Sequence, residues 1–308
     1  MAEVLGRALS FILIIVLGYT LKKRGLFSAN DYKLVGKIVL NVTLPAAVVN
    51  SFAHFQMDFS LLAAVGLGLI SNIIMIILAL LLTRRQTAAA KMFYVFSLAG
   101  FNIGCFTMPF VQAFMTPFAV VGMCMFDVGN SIMCTGLTYA LTASIVGYAD
   151  GRKDKFNIKS MGDKLFHSMP FITYLSMLAL AMMDVHFPSG IYRFTTILGT
   201  ANPFLSMLMI GMMFELTFDK ESLKHVGELF IVRYLLSALA AFVLFYFKPF
   251  SQEINSVLTL GFLAPATILG PIFIGNLGGN VSLASFFNSL SIVTSVSLFT
   301  AFFVLSNL

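Results

Sequence analysis

Runs of about 20 residues free of Asp, Glu, Lys and Arg recur along the chain, separated by short polar stretches. A helix rising about 1.5 Å per residue needs that length to cross the hydrocarbon of a bilayer. The pattern therefore predicts membrane-spanning helices near 5–21, 37–54, 59–83, 92–114, 118–147, 165–183, 194–214, 228–247, 254–275 and 281–305. Two stretches are too long for one span. Residues 92–149 are interrupted by a single charge, Asp127, and residues 254–308 contain none, so each must hold two helices. Arg7 is expected to snorkel from the outer end of the first span.

Within each long stretch the first helix carries disruptive residues in mid-span: Asn102-Ile-Gly104-Cys-Phe-Thr-Met-Pro109 in one, Pro265-Ala-Thr-Ile-Leu-Gly270-Pro271 in the other. Proline lacks a backbone donor and clashes with the preceding turn, so both helices are expected to be broken or kinked there. Pro45 and Pro109 in the first half answer Pro203 and Pro271 in the second at nearly equal separation, and Phe126-Asp127 answers Phe287-Asn288. This is the mark of a duplication. Five helices per copy is an odd number, so the second copy enters the membrane upside down, as in the inverted repeats of many secondary transporters. The expected organisation is a first five-helix repeat over 1–147, a polar linker over 148–164 and a second, inverted repeat over 165–308.

Composition agrees with this pattern: 59% of residues are hydrophobic and 10% charged, against about 25% charged in soluble domains. The net charge of +6 bears on topology and not on nucleic acid. With the N-terminus outside, fifteen of the 19 Lys and Arg fall on the cytoplasmic side, Arg7, Arg193 and Lys248 on the other, and Arg233 inside a span. That asymmetry is the positive-inside bias, and it places both termini outside the cytoplasm of what is expected to be a bacterial inner membrane. Cys105, Cys124 and Cys134 lie in apolar stretches without metal-ligand spacing, and the four His residues lie apart near span ends. The Met-rich stretch around Met207–Met213 suits adaptable packing. No cofactor is expected.

The motifs Gly18-Tyr-Thr-Leu-Lys-Lys-Arg-Gly25-Leu-Phe-Ser, Asn41-Val-Thr-Leu-Pro45, Asn102 with Pro109, and Phe126-Asp127-Val-Gly129-Asn130 resemble the auxin efflux carrier family. That family includes plant auxin carriers and bacterial permeases for malonate, malate and related acids. The short linker is similar to the bacterial branch. The resemblance covers the whole chain. It implies ten helices, broken helices 4 and 9 crossing at their prolines, elevator-like movement of an organic anion, and a homodimer.

A broken helix exposes N–H groups at the start of its second half, where the helix dipole also places about half a positive charge. Two such ends meeting inside the bilayer could hold a carboxylate. Asn102, Gly104, Pro109, Gly270 and Pro271 are the candidate substrate site, with Pro271 taken as the second crossing residue. Either Asn276 or Asn280 is expected to oppose Asn102, and Asn41 with Pro45, loosely repeated as Asn202 and Pro203, lines the cavity or satisfies freed carbonyls. Asp127 is the one acidic residue deep in a span, where a charge costs roughly 2.5–3.5 kcal/mol. With Asn130 on the same face, and Asn288 answering in the second half, it forms a proton relay, a sodium ligand set or a structural contact. Glu215 and Glu228 are expected at solvated helix ends, and Arg233 either snorkels or meets substrate.

An intramembrane enzyme would need at least two convergent catalytic groups, and only Asp127 qualifies. A sensor for a small carboxylate and an anion channel on the same scaffold are the alternatives to a transporter.

Overall fold

Apolar runs of span length become helices almost one for one. The structure, a computed structural model, describes residues 2–28, 30–53, 55, 58–146, 158–214 and 223–306, and among these it contains no β-strand. The helices are α1 (Ala2–Lys23), α2 (Tyr32–Ser51), α3 (Phe59–Leu82), α4 (Ala88–Leu98), α5 (Ile103–Phe114), α6 (Pro117–Ile145), α7 (Ile158–Phe166), α8 (Met169–Met182), α9 (Ser189–Met213), α10 (Leu223–Phe247), α11 (Gln252–Leu263), α12 (Leu269–Asn276) and α13 (Val281–Leu305). Seven of them, α1, α2, α3, α6, α9, α10 and α13, are long and apolar enough to cross a membrane. Exposed Leu9, Leu13 and Leu17 on α1, and Ile231, Leu235 and Leu239 on α10, suit lipid contact.

The expected spans 92–114 and 254–275 are interrupted, α4 from α5 at residues 99–102 and α11 from α12 at residues 264–268. Pro45 and Pro109 do not break their helices. Each follows a wide turn with i to i+5 bonding, over Val39–Thr43 and Ile103–Thr107, that ends two residues before the proline. Widening the turn removes the clash of the ring with the preceding carbonyl. Pro203 is met differently: it sits at the start of Asn202–Met213, just beyond a local irregularity at Ala201. Part of the expected linker is helical, because apolar positions recur three and four apart in α7 and Leu165 is buried; residues 148–157 lie outside the described residues.

Small residues let helices approach to backbone contact. A Cβ at Gly18 would come within 2.3 Å of the Leu208 carbonyl oxygen, and one at Gly211 within 2.0 Å of that of Ile15, which fixes α1 against α9. Gly68 and Gly129 play the same reciprocal part between α3 and α6, against the carbonyls of Phe126 and Val65. The helices α1, α2, α8 and α9 pack on one another, while α3 packs on α6, α10 on α11 and α11 on α6. The two interruptions come together in the interior.

Candidate functional site

At the first interruption Gly100 takes φ +93°, a left-handed conformation that L side chains rarely adopt, and the chain turns out of α4 there. At the second, Pro265 cannot donate, and α11 ends at Leu263. The two extended segments lie side by side: Phe101 and Ala266 form an isolated antiparallel bridge, and the Asn102 N–H donates to the Pro265 carbonyl at 2.9 Å. The crossing therefore falls at Phe101 and Ala266, not at Pro109 and Pro271 as expected. Both prolines lie beyond it, in the second half-helices, because the backbone leaves helical geometry at the glycine and at Pro265.

Each unwound segment is held from the helix that follows, the first by Asn130 and the second by Asn288 and Ser291 one turn apart. The Asn130 amide donates to the Phe101 carbonyl at 2.9 Å and accepts from the Phe101 N–H at 3.1 Å. In the second half the Asn288 amide donates to the carbonyls of Ala266 and Thr267 at 2.9 and 3.1 Å, and Ser291 Oγ accepts from the Ala266 N–H at 3.1 Å. Asn72 of α3 accepts from the Gly100 N–H at 2.6 Å and donates to Asn130 Oδ1 at 3.2 Å. Backbone groups freed by unwinding are thus satisfied by buried side chains.

Arg233 does not snorkel. It is fully buried and reaches the carbonyls of both first half-helices: Nη1 donates to Ser97 at 3.2 Å and Leu98 at 2.6 Å, Nη2 to Gly100 at 3.0 Å and Ala264 at 3.2 Å. Its guanidinium also stands 5.3 Å from the centre of the Phe101 ring. A cation at the carbonyl end of a helix is favoured by the helix dipole, and here one cation serves two such ends. The opposite ends, the N-termini of α5 and α12, are left with their positive partial charge.

Asn102 caps α5 and is 4% exposed. Its carbonyl accepts from the Thr107 N–H and hydroxyl, but its side-chain Nδ2 has no hydrogen-bond partner among the described residues. A buried amide left unpaired costs about 1–3 kcal/mol, so this donor is poised for an acceptor. Gly104 follows, with Leu44 packed over it and the Asp127 carboxylate beside it. Asp127 is buried; its Oδ1 accepts from Asn130 Nδ2 at 2.8 Å and its Oδ2 from the Tyr174 hydroxyl of α8 at 3.0 Å. Asp127 therefore joins the crossing, through Asn130, to a helix from the other packing group.

A cavity of about 540 Å³ opens on the second interruption, lined by Tyr19, Lys22, Lys23, Pro271, Ser285 and Asn288 among others. Two lysines and an amide make its polar wall donor-rich. Lys22 Nζ donates to the Phe214 carbonyl at 2.7 Å, and Lys23 lies over the Tyr19 ring. Pro109 is buried, and Gly270 is packed so closely on the Phe96 carbonyl that a Cβ would come within 2.8 Å of its oxygen.

Three expected members are not brought to the crossing. Asn41 is exposed and its amide donates to Lys37 on its own helix; Asn276 is exposed at the far end of α12; and Asn280 caps α13, accepting from the Leu283 N–H. Thr267, packed against Gly100, is the residue that answers Asn102 in the second half. The sequence held a signal for it, since Leu98-Ala99-Gly-Phe-Asn102-Ile103 is repeated as Leu263-Ala264-Pro-Ala-Thr267-Ile268. Sequence reasoning also passed over Asn72, Tyr174 and Gln112. The last accepts from Asn202 Nδ2 at 2.9 Å, and Asn202 Oδ1 in turn accepts from the Thr43 hydroxyl at 2.9 Å, so Asn202 ties α2, α9 and α5 together. Glu228 is exposed and accepts from Tyr94, whereas Glu215 lies outside the described residues. No protein-family model matches the chain, and no curated protein sequence matches it.

Proposed function

We propose that this protein is a secondary transporter of a small organic anion, a mono- or dicarboxylate, working by elevator-type alternating access. In this reading the chain is a ten-span protein of two inverted five-span repeats, of the auxin efflux carrier kind, and the pairs α4–α5 and α11–α12 are its fourth and ninth spans. The observation that carries the reading is the meeting of two interrupted helices back to back, with a buried cation on their carbonyl ends and an unpaired amide at the start of one amide end. Such ends bind carboxylates without a full cationic partner. Further support comes from the matching ties on the two unwound segments, Asn130 on Phe101 and Ser291 on Ala266, and from the basic cavity at the second segment.

The substrate would enter past Lys22 and Lys23, reach the N-terminal end of α12, and place a carboxylate oxygen where Asn102 Nδ2 can donate. Movement of the helices bearing the crossing against α1, α2, α8 and α9 would then carry the anion across. Asp127 with Tyr174 lies between these two groups and would make and break its contact during the step.

The test is uptake by purified protein in liposomes, screened over small mono- and dicarboxylates under imposed pH and sodium gradients. Saturable uptake is expected, with Asn102→Ala lowering kcat/KM by about tenfold, the equivalent of roughly 1.4 kcal/mol. Unsaturable flux would favour a channel. Binding without flux would favour a sensor. Unchanged uptake by Asn102→Ala would remove that residue from the site.

A further inference from the structure

We propose that the Arg233 guanidinium is a tethered cation occupying the place at the crossing where a transporter with interrupted helices can hold sodium, so that anion transport by this protein runs without sodium. The inference rests on the transporter reading above and decides one of its open terms, the coupling ion.

In discontinuous-helix transporters, unwound backbone carbonyls and the C-terminal ends of half-helices are what coordinate a sodium ion. Here those groups are already engaged. Ser97 and Leu98 are the last two residues of α4, Gly100 belongs to the unwound segment after it, and Ala264 is the C-cap of α11. All four carbonyls accept from one guanidinium, at 2.6 to 3.2 Å. An all-oxygen set converging from two chain segments is what a hard cation prefers. The planar fork of arginine satisfies the same set with three bonds to the first segment, at Ser97, Leu98 and Gly100, and one to the second, at Ala264.

The charge balance agrees. Among the described residues Arg233 makes no ion pair with a carboxylate, and the buried carboxylate nearest in the network, Asp127, is engaged by Asn130 and Tyr174. The counter-charge of Arg233 is therefore the pair of helix ends, each worth about half a negative charge. Two half charges balance one fixed cation and leave none for a second. A sodium ion bound there would have to leave and re-enter with each cycle. A covalently attached cation cannot, so its occupancy is independent of any gradient. Arg233 thus acts as a positioning residue that holds the crossing assembled at all times.

The experiment combines uptake with a measurement that needs no transport. In proteoliposomes, the wild-type protein should keep its initial uptake rate within about twofold, less than 0.5 kcal/mol, when choline replaces sodium on both sides. Arg233→Gly, which vacates the carbonyls, should lose at least about tenfold of that rate. Millimolar guanidinium or sodium should restore it, and tetramethylammonium should not. The same variant in detergent should show a melting temperature raised by guanidinium and indifferent to tetramethylammonium, while wild type responds to neither. A sodium requirement in wild type, or an Arg233→Gly protein whose uptake and melting ignore both small cations, overturns the proposal. Should Arg233→Gly not fold, Arg233→Lys keeps the charge: sodium-independent uptake at a reduced rate supports the proposal, and a sodium requirement in it or in wild type overturns it. If no anion is taken up by wild type, the transporter reading fails on its own, and the melting response still decides whether the site holds a cation.

Discussion

The two interruptions do the same backbone work under different conditions. At the first, a left-handed Gly100 turns the chain, one side chain, Asn130, takes both the N–H and the carbonyl of Phe101, and the segment is closed off under Leu44. At the second, Pro265 ends the helix, the equivalent work is divided between Asn288 and Ser291, and the segment opens through Ile268 and Pro271 onto the basic cavity. Phe101 and Asn102 at the first break are buried, whereas Ile268 and Pro271 at the second line a cavity. Satisfied backbone is thus compatible with either state, and access is decided by what packs over the break.

The comparison breaks most readily at Asn130. Asn130→Ala would strip partners from the Phe101 N–H and carbonyl, from Asp127 and from Asn72, all of them buried. A loss of about 2–3 kcal/mol is expected, read as a lowered melting temperature and collapsed uptake. Gly100→Ala should come close to it: the added methyl meets Thr267 Cγ2 at 2.7 Å and Cys134 Sγ at 2.9 Å, on a backbone that disfavours any Cβ, at a cost of about 1–3 kcal/mol. Asn288→Ala should cost less, about 1 kcal/mol, because Asn288 itself lines the cavity, so its removal lets water approach the carbonyls of Ala266 and Thr267 that it held. Equal melting temperatures for the Asn130 and Asn288 variants would erase the distinction between a locked and an open break.

Thiol labelling sharpens the same contrast without a stability readout. A charged thiol reagent should modify Ser285→Cys, which lines the cavity, and spare Asn102→Cys, which is buried, while the native Cys105, Cys124 and Cys134 remain unreacted. Labelling of both positions at one rate would mean that the first break is open as well. The smallest effect is expected from Lys23→Gln. An exposed charge at the cavity mouth contributes less than about 1 kcal/mol, so KM for a carboxylate should rise by no more than about fivefold with kcat unchanged.

Much of this arrangement was legible along the chain. Glycine, proline and asparagine in the middle of apolar runs marked both interruptions, and the spacing of Asp127 and Asn130 placed them on one helical face, where they are hydrogen-bonded. The role of Arg233 was not legible, since its acceptors are main-chain carbonyls of residues 97, 98, 100 and 264, which leave no trace in side-chain identity. Asn41, Asn276 and Asn280 were chosen for their side chains, yet Asn41 and Asn280 answer a local need, a helix carbonyl and a cap, that any exposed asparagine can meet, and Asn276 is exposed at the end of its helix.

The sequence by itself determined where helices form, that two of the long apolar runs are interrupted, and that lipid must cover most of what they expose, because period, helix-breaking residues and the absence of charge act locally. Tertiary structure alone decided that the two stops touch at Phe101 and Ala266, that a single arginine bonds both carbonyl ends, and that the second stop borders a cavity. These depend on backbone groups far apart in the chain being brought within about 3 Å, and a hydrogen bond to the main chain can be made to any residue type.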